Sequence, residues 1–269
     1  GYAVARVVLG AWSPGFAILF ILGMPIVLRG LLTAIGFAVS WFFRSPRPQS
    51  GSITLLEGLW MFVREWAAMS FQYGFGQAFE SVFVAPDRLR RVASGETPVL
   101  LVHGYLCNRG VWWWLKPRME NAGHVVATVT LEPVLGEIED GVRPLMERIE
   151  AVCLETGASR VTLVCHSMGG LTARAYVRAC GSERVATLIT IATPHQGSVM
   201  ARFGLGRNAR QMRDGSAWIA ALGQAGLPAS LPVVSIYSLH DSLLVPQDNA
   251  ILPGAQLMPL TGRGHNEML

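Results

Sequence analysis

The chain has 269 residues, enough for one large domain or an ordinary domain with an appendage. Hydrophobic residues make up 51%, charged residues 15%, and mean hydropathy is +0.37. A typical soluble domain carries about 25% charge, so disorder and an acidic soluble binding module are excluded. A net charge of +4, from 22 basic and 18 acidic residues, is too weak and dispersed to indicate a nucleic-acid partner.

The apolar excess is concentrated at the start. From Val7 to Leu28 there are 22 residues without a charge, and after Arg29 another 14 from Gly30 to Phe43. A bilayer core about 30 Å thick needs about 20 apolar helical residues, so residues 1–45 read as a membrane-anchoring helical segment. Two arrangements fit. One is a single span over Val7–Leu28 followed by an interfacial helix. The other, which is favoured, is a hairpin of helices near Tyr2–Leu22 and Ile26–Phe43 turning at Gly23-Met24-Pro25. It leaves Arg6, Arg44 and Arg47 on one side, which positive-inside counting makes cytoplasmic, and lets Arg29 snorkel outward. A cleaved signal peptide has an apolar region of about 7–15 residues closed by a small-x-small site. This run is longer, and no such site precedes the arginines.

Residues 46–96 read as a linker and an amphipathic helix. Ser45-Pro46-Arg47-Pro48-Gln49-Ser50-Gly51-Ser52 has linker composition. Ile53–Val84, with sparse charges at Glu57, Arg64, Glu65 and Glu80, has helical spacing interrupted around Gly74 and Gly76. Amphipathicity fits a helix on the bilayer and a helix packed on its own domain equally well.

Residues 97–269 change pattern. Short apolar, β-branched runs occur at Pro98–His103, Val125–Leu131, Val161–Cys165, Val185–Ala192, Pro232–Ser238 and Gln256–Leu260. Helical segments lie at Gly136–Gly157 and Met168–Cys180. Buried strands alternating with helices predict an α/β fold, a mostly parallel sheet with helices on both faces.

The sharpest chemical signal is Val164-Cys165-His166-Ser167-Met168-Gly169-Gly170, a serine between strand and helix with small residues two positions either side. Such a turn holds the hydroxyl at a helix N-terminus, where the Met168 N–H can help bind an oxyanion. The pattern is C-x-S-x-G instead of G-x-S-x-G, and cysteine is small enough for the position. A serine nucleophile needs a base, and the base an orienting acid. Of six histidines, only His265 lies in a loop after the last strand. Asp241 follows the strand Pro232–Ser238 directly and is the favoured acid, with Asp248 its competitor. The second oxyanion donor is expected from the loop His103-Gly104-Tyr105, through the Tyr105 N–H. Cys107 in that loop has no activating partner. The four cysteines show no CxxC spacing and read as free thiols.

Together these pieces resemble the α/β-hydrolase superfamily, and within it the bacterial triacylglycerol lipases and esterases. The matching residues are His103-Gly104, the elbow Cys165–Gly170, Ala192-Thr193-Pro194-His195-Gln196-Gly197-Ser198, Asp241 with Val245-Pro246, and His265. The resemblance covers about Thr97 to the C-terminus. It implies hydrolysis of a lipid-like carboxylic ester through an acyl-serine: Ser167 attacks, His265 moves the proton, Asp241 holds the imidazole, and the Tyr105 and Met168 amides bind the oxyanion. His195 is not the base; its element shapes the floor of the site. No metal or cofactor is implied. The partners are a lipid or acyl-ester substrate and the bilayer, with the bacterial inner membrane as the expected location. Acyl transfer and thioester cleavage use the same triad, and a silent scaffold on a hydrolase fold is the alternative of another class. Ser198–Leu231 is the only room for a lid. Its Arg202, Arg207, Arg210 and Arg213 suit a solvated face better than a lipid-facing one. Trp112-Trp113-Trp114 reads as core.

Overall fold

The computed structural model describes residue 2, residues 6–7 and residues 10–269. The first stretch of the expected helix Tyr2–Leu22 therefore lies partly outside the described residues. From Pro14 the chain forms one helix of 30 residues, α1 (Pro14–Phe43), whose first turn is capped by Ser13 Oγ accepting the Phe16 N–H at 3.2 Å. It runs unbroken through Gly23-Met24-Pro25, so the hairpin turn expected there is not made. A proline inside a helix removes one amide donor. Here a second helix, α2 (Leu55–Phe71), braces the stretch after it. Trp66 Nε1 donates to the Ile26 carbonyl at 2.9 Å, and the indole lies 3.2 Å from where a Cβ on Gly30 would stand.

A capping box starts α2. The Glu57 N–H donates to Thr54 Oγ1 at 3.3 Å, and the Thr54 N–H donates to Glu57 Oε2 at 2.7 Å. The helix passes into a π turn at Gln72–Gly76 and then α3 (Glu80–Phe83), so the break falls where Gly74 and Gly76 place it. One face of α2 packs on the rest of the chain through Met61 and Glu65, while Leu55, Leu56 and Trp60 are exposed.

The remainder runs β1 (Val99–Val102), α4 (Leu115–Asn121), β2 (Val126–Val129), α5 (Val142–Thr156), β3 (Val161–His166), α6 (Met168–Cys180), β4 (Val185–Ile191), α7 (Gly206–Gln211), α8 (Ala217–Ala225), β5 (Val233–Ser238) and β6 (Gln256–Leu260). The six strands form one parallel sheet in the order β2-β1-β3-β4-β5-β6. Leu100, Leu163, Leu188, Ile149 and Tyr176 fill the core on one face. Leu101, Val164, Ile191 and Trp112 fill the other. One strand departs from the expectation of burial. β6 is exposed along its length because it is an edge, and Pro259 within it suits that position. Burying both faces of the inner strands aligns their carboxyl ends, which places the loops after β1, β3, β5 and β6 on one rim.

Candidate active site

β3 ends at His166 and α6 begins at Met168, leaving Ser167 to reverse the chain at φ 52° and ψ −124°. A non-glycine residue at positive φ is strained and persists only where its surroundings over-determine it. Here the surroundings close tightly. A Cβ on Gly104 would stand 2.9 Å from Ser167 Cβ, and one on Gly170 would overlap Thr193. Thr193 Oγ1 donates to the Ser167 carbonyl at 2.9 Å. Cys165, two residues before the serine, is fully buried in the same core cluster as Ala173 and Val177.

His265, in the loop after β6, joins the serine to Asp241. Its Nδ1 lies 2.9 Å from Asp241 Oδ2, and its Nε2 lies 3.0 Å from Ser167 Oγ. With Nδ1–H donating to the carboxylate, Nε2 is free to accept the hydroxyl proton. Asp241 is fully buried, and its Oδ1 also accepts the Leu243 and Leu244 N–H groups at 2.8 and 2.7 Å. Burial pulls the His265 pKa down, but Asp241, with a smaller contribution from Glu65, outweighs it and holds the value above 6.5. Asp248 is exposed, and its N–H donates to Ser45 Oγ at 2.9 Å.

The loop after β1 is braced by His103. Its Nε2 accepts the Leu131 N–H at 2.8 Å, so its Nδ1 donates to the Gly104 carbonyl at 2.9 Å. Burial pushes His103 down to about 4 and keeps the ring neutral. Tyr105 hydroxyl donates to the Leu205 carbonyl at 2.7 Å and accepts its N–H at 2.8 Å, tying this loop to the segment before α7. Among the described residues, the Tyr105 and Met168 amides have no hydrogen-bond acceptor.

Three features had no sequence signal. Glu65, buried on α2, accepts the Asn266 N–H at 2.9 Å, the Asn266 side-chain N–H at 2.7 Å and the Glu267 N–H at 3.0 Å. It therefore clamps the loop that carries His265, and burial raises its own pKa. Ser40 on α1 donates to the Asp241 carbonyl at 2.9 Å, while Gln247 Nε2 donates to both Ser40 Oγ and that carbonyl. His166 packs against His265 with the rings tilted by 53° and their centres 4.8 Å apart, and burial keeps it neutral.

A cavity of about 740 Å³ opens on Ser167 and His265, within the range of small-molecule sites, about 300–1,000 Å³. Leu28, Leu32, Ile35 and Val39 of α1 form one wall, and Met200, Phe203 and Met212 another. The lid segment folds into a 3₁₀ turn at Val199–Phe203 followed by α7 and α8. Its apolar residues Met212, Ile219 and Leu222 pack on Ile138 and Leu171, and Arg202 pairs with Asp214 at 3.0 Å. His195 is a buried brace. Arg174 Nη1 donates to its carbonyl at 3.0 Å, and its Nε2 lies 3.1 Å from Thr190 Oγ1. Burial pushes the Cys107 thiol up to about 11. Trp112 is fully buried, whereas Trp114 is exposed. Among the described residues, no three His, Cys, Asp or Glu side chains are placed to hold a metal.

Several known proteins are similar to this chain in sequence or fold. The palmitoyl protein thioesterase family matches residues 98–227, just under half of the chain. A triacylglycerol lipase of Burkholderia plantarii is 34% identical over 140 residues, 48% of this chain and 37% of the lipase. One from Pseudarthrobacter phenanthrenivorans is 34% identical over 121 residues, 41% of this chain and 37% of that lipase. The matches thus span little more than a third of these relatives' length. Among solved structures, a mature Bacillus licheniformis lipase superposes with TM-score 0.60 at 16% identity, covering 67% of this chain and 89% of its own. A metagenomic carboxyl esterase superposes with TM-score 0.54 at 16% identity, covering 85% of this chain and 87% of its own. The fold is that of the α/β-hydrolases. Over its hydrolase-like part the chain is similar in sequence to triacylglycerol lipases and to the palmitoyl protein thioesterase family.

Proposed function

We propose that the protein is a serine hydrolase that cleaves carboxylic esters of lipid-like substrates, with Ser167, His265 and Asp241 as its triad. The observation that carries this reading is the Asp241–His265–Ser167 chain, at 2.9 and 3.0 Å, opening on a cavity walled by apolar side chains. Ser167 Oγ attacks the ester carbonyl as its proton passes to His265 Nε2. The Tyr105 and Met168 amides receive the oxyanion, and the alcohol leaves with the proton. Water then repeats the sequence on the acyl-serine. The thioesterase match over residues 98–227 favours a second reading, in which the leaving group is a thiol.

The same proposal places α1 in the bacterial inner membrane, with the hydrolase on the cytoplasmic side. It contains an 18-residue window of mean hydropathy 2.2, only 6% of it buried. Its second half is docked, since residues from Pro25 to Val39 line the cavity and Ser40 holds the Asp241 carbonyl. The part from Pro14 to Met24 is about 16 Å long at 1.5 Å per residue, less than the bilayer core of about 30 Å. The described helix therefore immerses its free faces and brings the cavity to the lipid instead of standing clear of the domain as a stalk. With the hairpin gone, Arg6 precedes the helix and Arg44 and Arg47 follow it, and positive-inside counting, two against one, favours the cytoplasm for the C-terminal end.

The test is a panel of p-nitrophenyl esters of increasing chain length, an acyl thioester and a phospholipid, all in neutral detergent micelles. Turnover of the longer esters above the shortest supports the lipid-ester reading. Preference for the thioester at equal chain length selects the second reading. Inertness towards every substrate by folded protein rejects both.

A further inference from the structure

A second cavity, of about 840 Å³, lies between the C-terminal end of α1, the connector after it and the start of α2. Its walls are of two kinds. Phe37, Trp41, Met61 and Phe62 make one side apolar, while Arg44, Arg47 and His240 bring donors and positive charge to the other. Among the described residues, no carboxylate lines it. Glu57, close by on α2, is engaged by Thr54, whose N–H and hydroxyl donate to it at 2.7 and 2.9 Å.

The donors lack acceptors. His240 is 3% exposed, and its Nδ1 accepts the Gly262 N–H at 3.2 Å, so the ring proton sits on Nε2. Among the described residues that Nε2 has no hydrogen-bond partner, and neither has the buried Nε of Arg47. Buried donors are nearly always paired, and two without acceptors on residues that line one cavity, beside two guanidiniums and no carboxylate, mark it as short of negative charge. Burial, with Arg47 and Arg44, pushes His240 down to about 4, making it a neutral donor. The Arg44 guanidinium stacks on Trp41, 3.6 Å from the ring centre. An aromatic and basic cluster at the end of an apolar helix sits where headgroups lie.

We propose that this cavity binds one anionic phospholipid, its phosphate held by the Arg44 and Arg47 guanidiniums and its acyl chains laid along Phe37 and Phe62. The site is separate from Ser167 and does not depend on ester hydrolysis. It touches the acid loop all the same, because Ser40 lines the cavity and holds the Asp241 carbonyl. A lipid seated there fastens α1 to that loop.

The test uses the full chain in dodecyl maltoside micelles doped with phosphatidylglycerol, phosphatidylcholine or diacylglycerol, with bound lipid counted by native mass spectrometry. One phosphatidylglycerol is retained, with affinity about tenfold above phosphatidylcholine, whose choline cation offsets the phosphate charge and is repelled by the two arginines. Diacylglycerol is not retained. In Arg44→Gln/Arg47→Gln the preference disappears, while Arg44→Lys/Arg47→Lys keeps most of it. Arg143→Gln, which removes an exposed arginine on α5, changes nothing. Thermal midpoint and fluorophosphonate labelling establish that each variant is folded. Inorganic phosphate in large excess leaves the lipid bound. Equal retention of the two phospholipids, a preference that survives the double glutamine variant, or displacement by inorganic phosphate would each overturn the proposal.

Discussion

Glu65 offers the sharpest perturbation away from the triad, because one carboxylate holds three donors of the loop that carries His265. Glu65→Ala strands the Asn266 N–H, the Asn266 side-chain N–H and the Glu267 N–H. Each buried donor left unpaired costs about 1–3 kcal/mol, so the docked loop loses about 3 kcal/mol at the low end. That is about 10² in the population with His265 beside Ser167, at 1.36 kcal/mol per decade. Glu65→Gln keeps one acceptor oxygen and removes the charge. Because Glu65 helps raise the His265 pKa, the acid limb of the rate profile moves to lower pH in this variant. The assay is hydrolysis of a short p-nitrophenyl ester from pH 5 to 9 in detergent. Glu65→Ala is expected to lower kcat by about 10² with a smaller change in KM, in line with that energy. Wild-type kcat in Glu65→Ala, with an unmoved acid limb in Glu65→Gln, would refute the positioning role.

The other expectations concern the triad and α1. Asp241→Asn lowers kcat by about 10⁴, as loss of tautomer control does in a comparable triad, and Asp248→Asn does far less; the reverse ranking in steady-state rates would transfer the role to Asp248. In the proposed mechanism His265 must be neutral to act as base, and, despite burial, its pKa is raised above 6.5 by Asp241. Activity therefore falls as pH drops through that raised value, and an acid limb below 6.5 would contradict the coupling to Asp241. Leu32→Trp narrows the cavity from α1 and depresses hydrolysis of a palmitoyl ester more than that of a butyryl ester; equal losses would mean that α1 is support and not wall. The intact chain sediments with membranes through carbonate washing, since exposed charge contacts alone would be screened by salt. Removing residues 1–45 weakens attachment and, because Ser40 goes with them, lowers kcat as well.

The hydrolase elements were legible because each is written locally. β6 and α6 have the expected bounds, and the inner strands differ by a residue or a few at their ends. The elbow shows as a serine followed by glycines, since a Cβ on Gly169 would stand 2.5 Å from the Val102 and His103 carbonyls and one on Gly170 would overlap Thr193. The loops for Asp241 and His265 follow from strand order. The course of α1 was not legible. Gly23-Met24-Pro25 has turn composition, yet the helix runs through it, and the side chain that packs on the turn following it, Trp66, lies forty residues away from Ile26. Glu65 and Ser40 were hidden for the same reason, as their partners lie 201 residues along the chain. Amphipathic spacing marks a face of α2 as buried, but not that Glu65 on that face meets the backbone beside the base.

The central claim, that Ser167 is a nucleophile activated by His265, is tested most directly by fluorophosphonate labelling of the full-length protein in detergent, followed by intact mass and peptide mapping. One adduct per chain is expected, on Ser167, absent from Ser167→Ala and slowed by orders of magnitude in His265→Ala. An adduct on another residue, or none on folded wild-type protein, would contradict it.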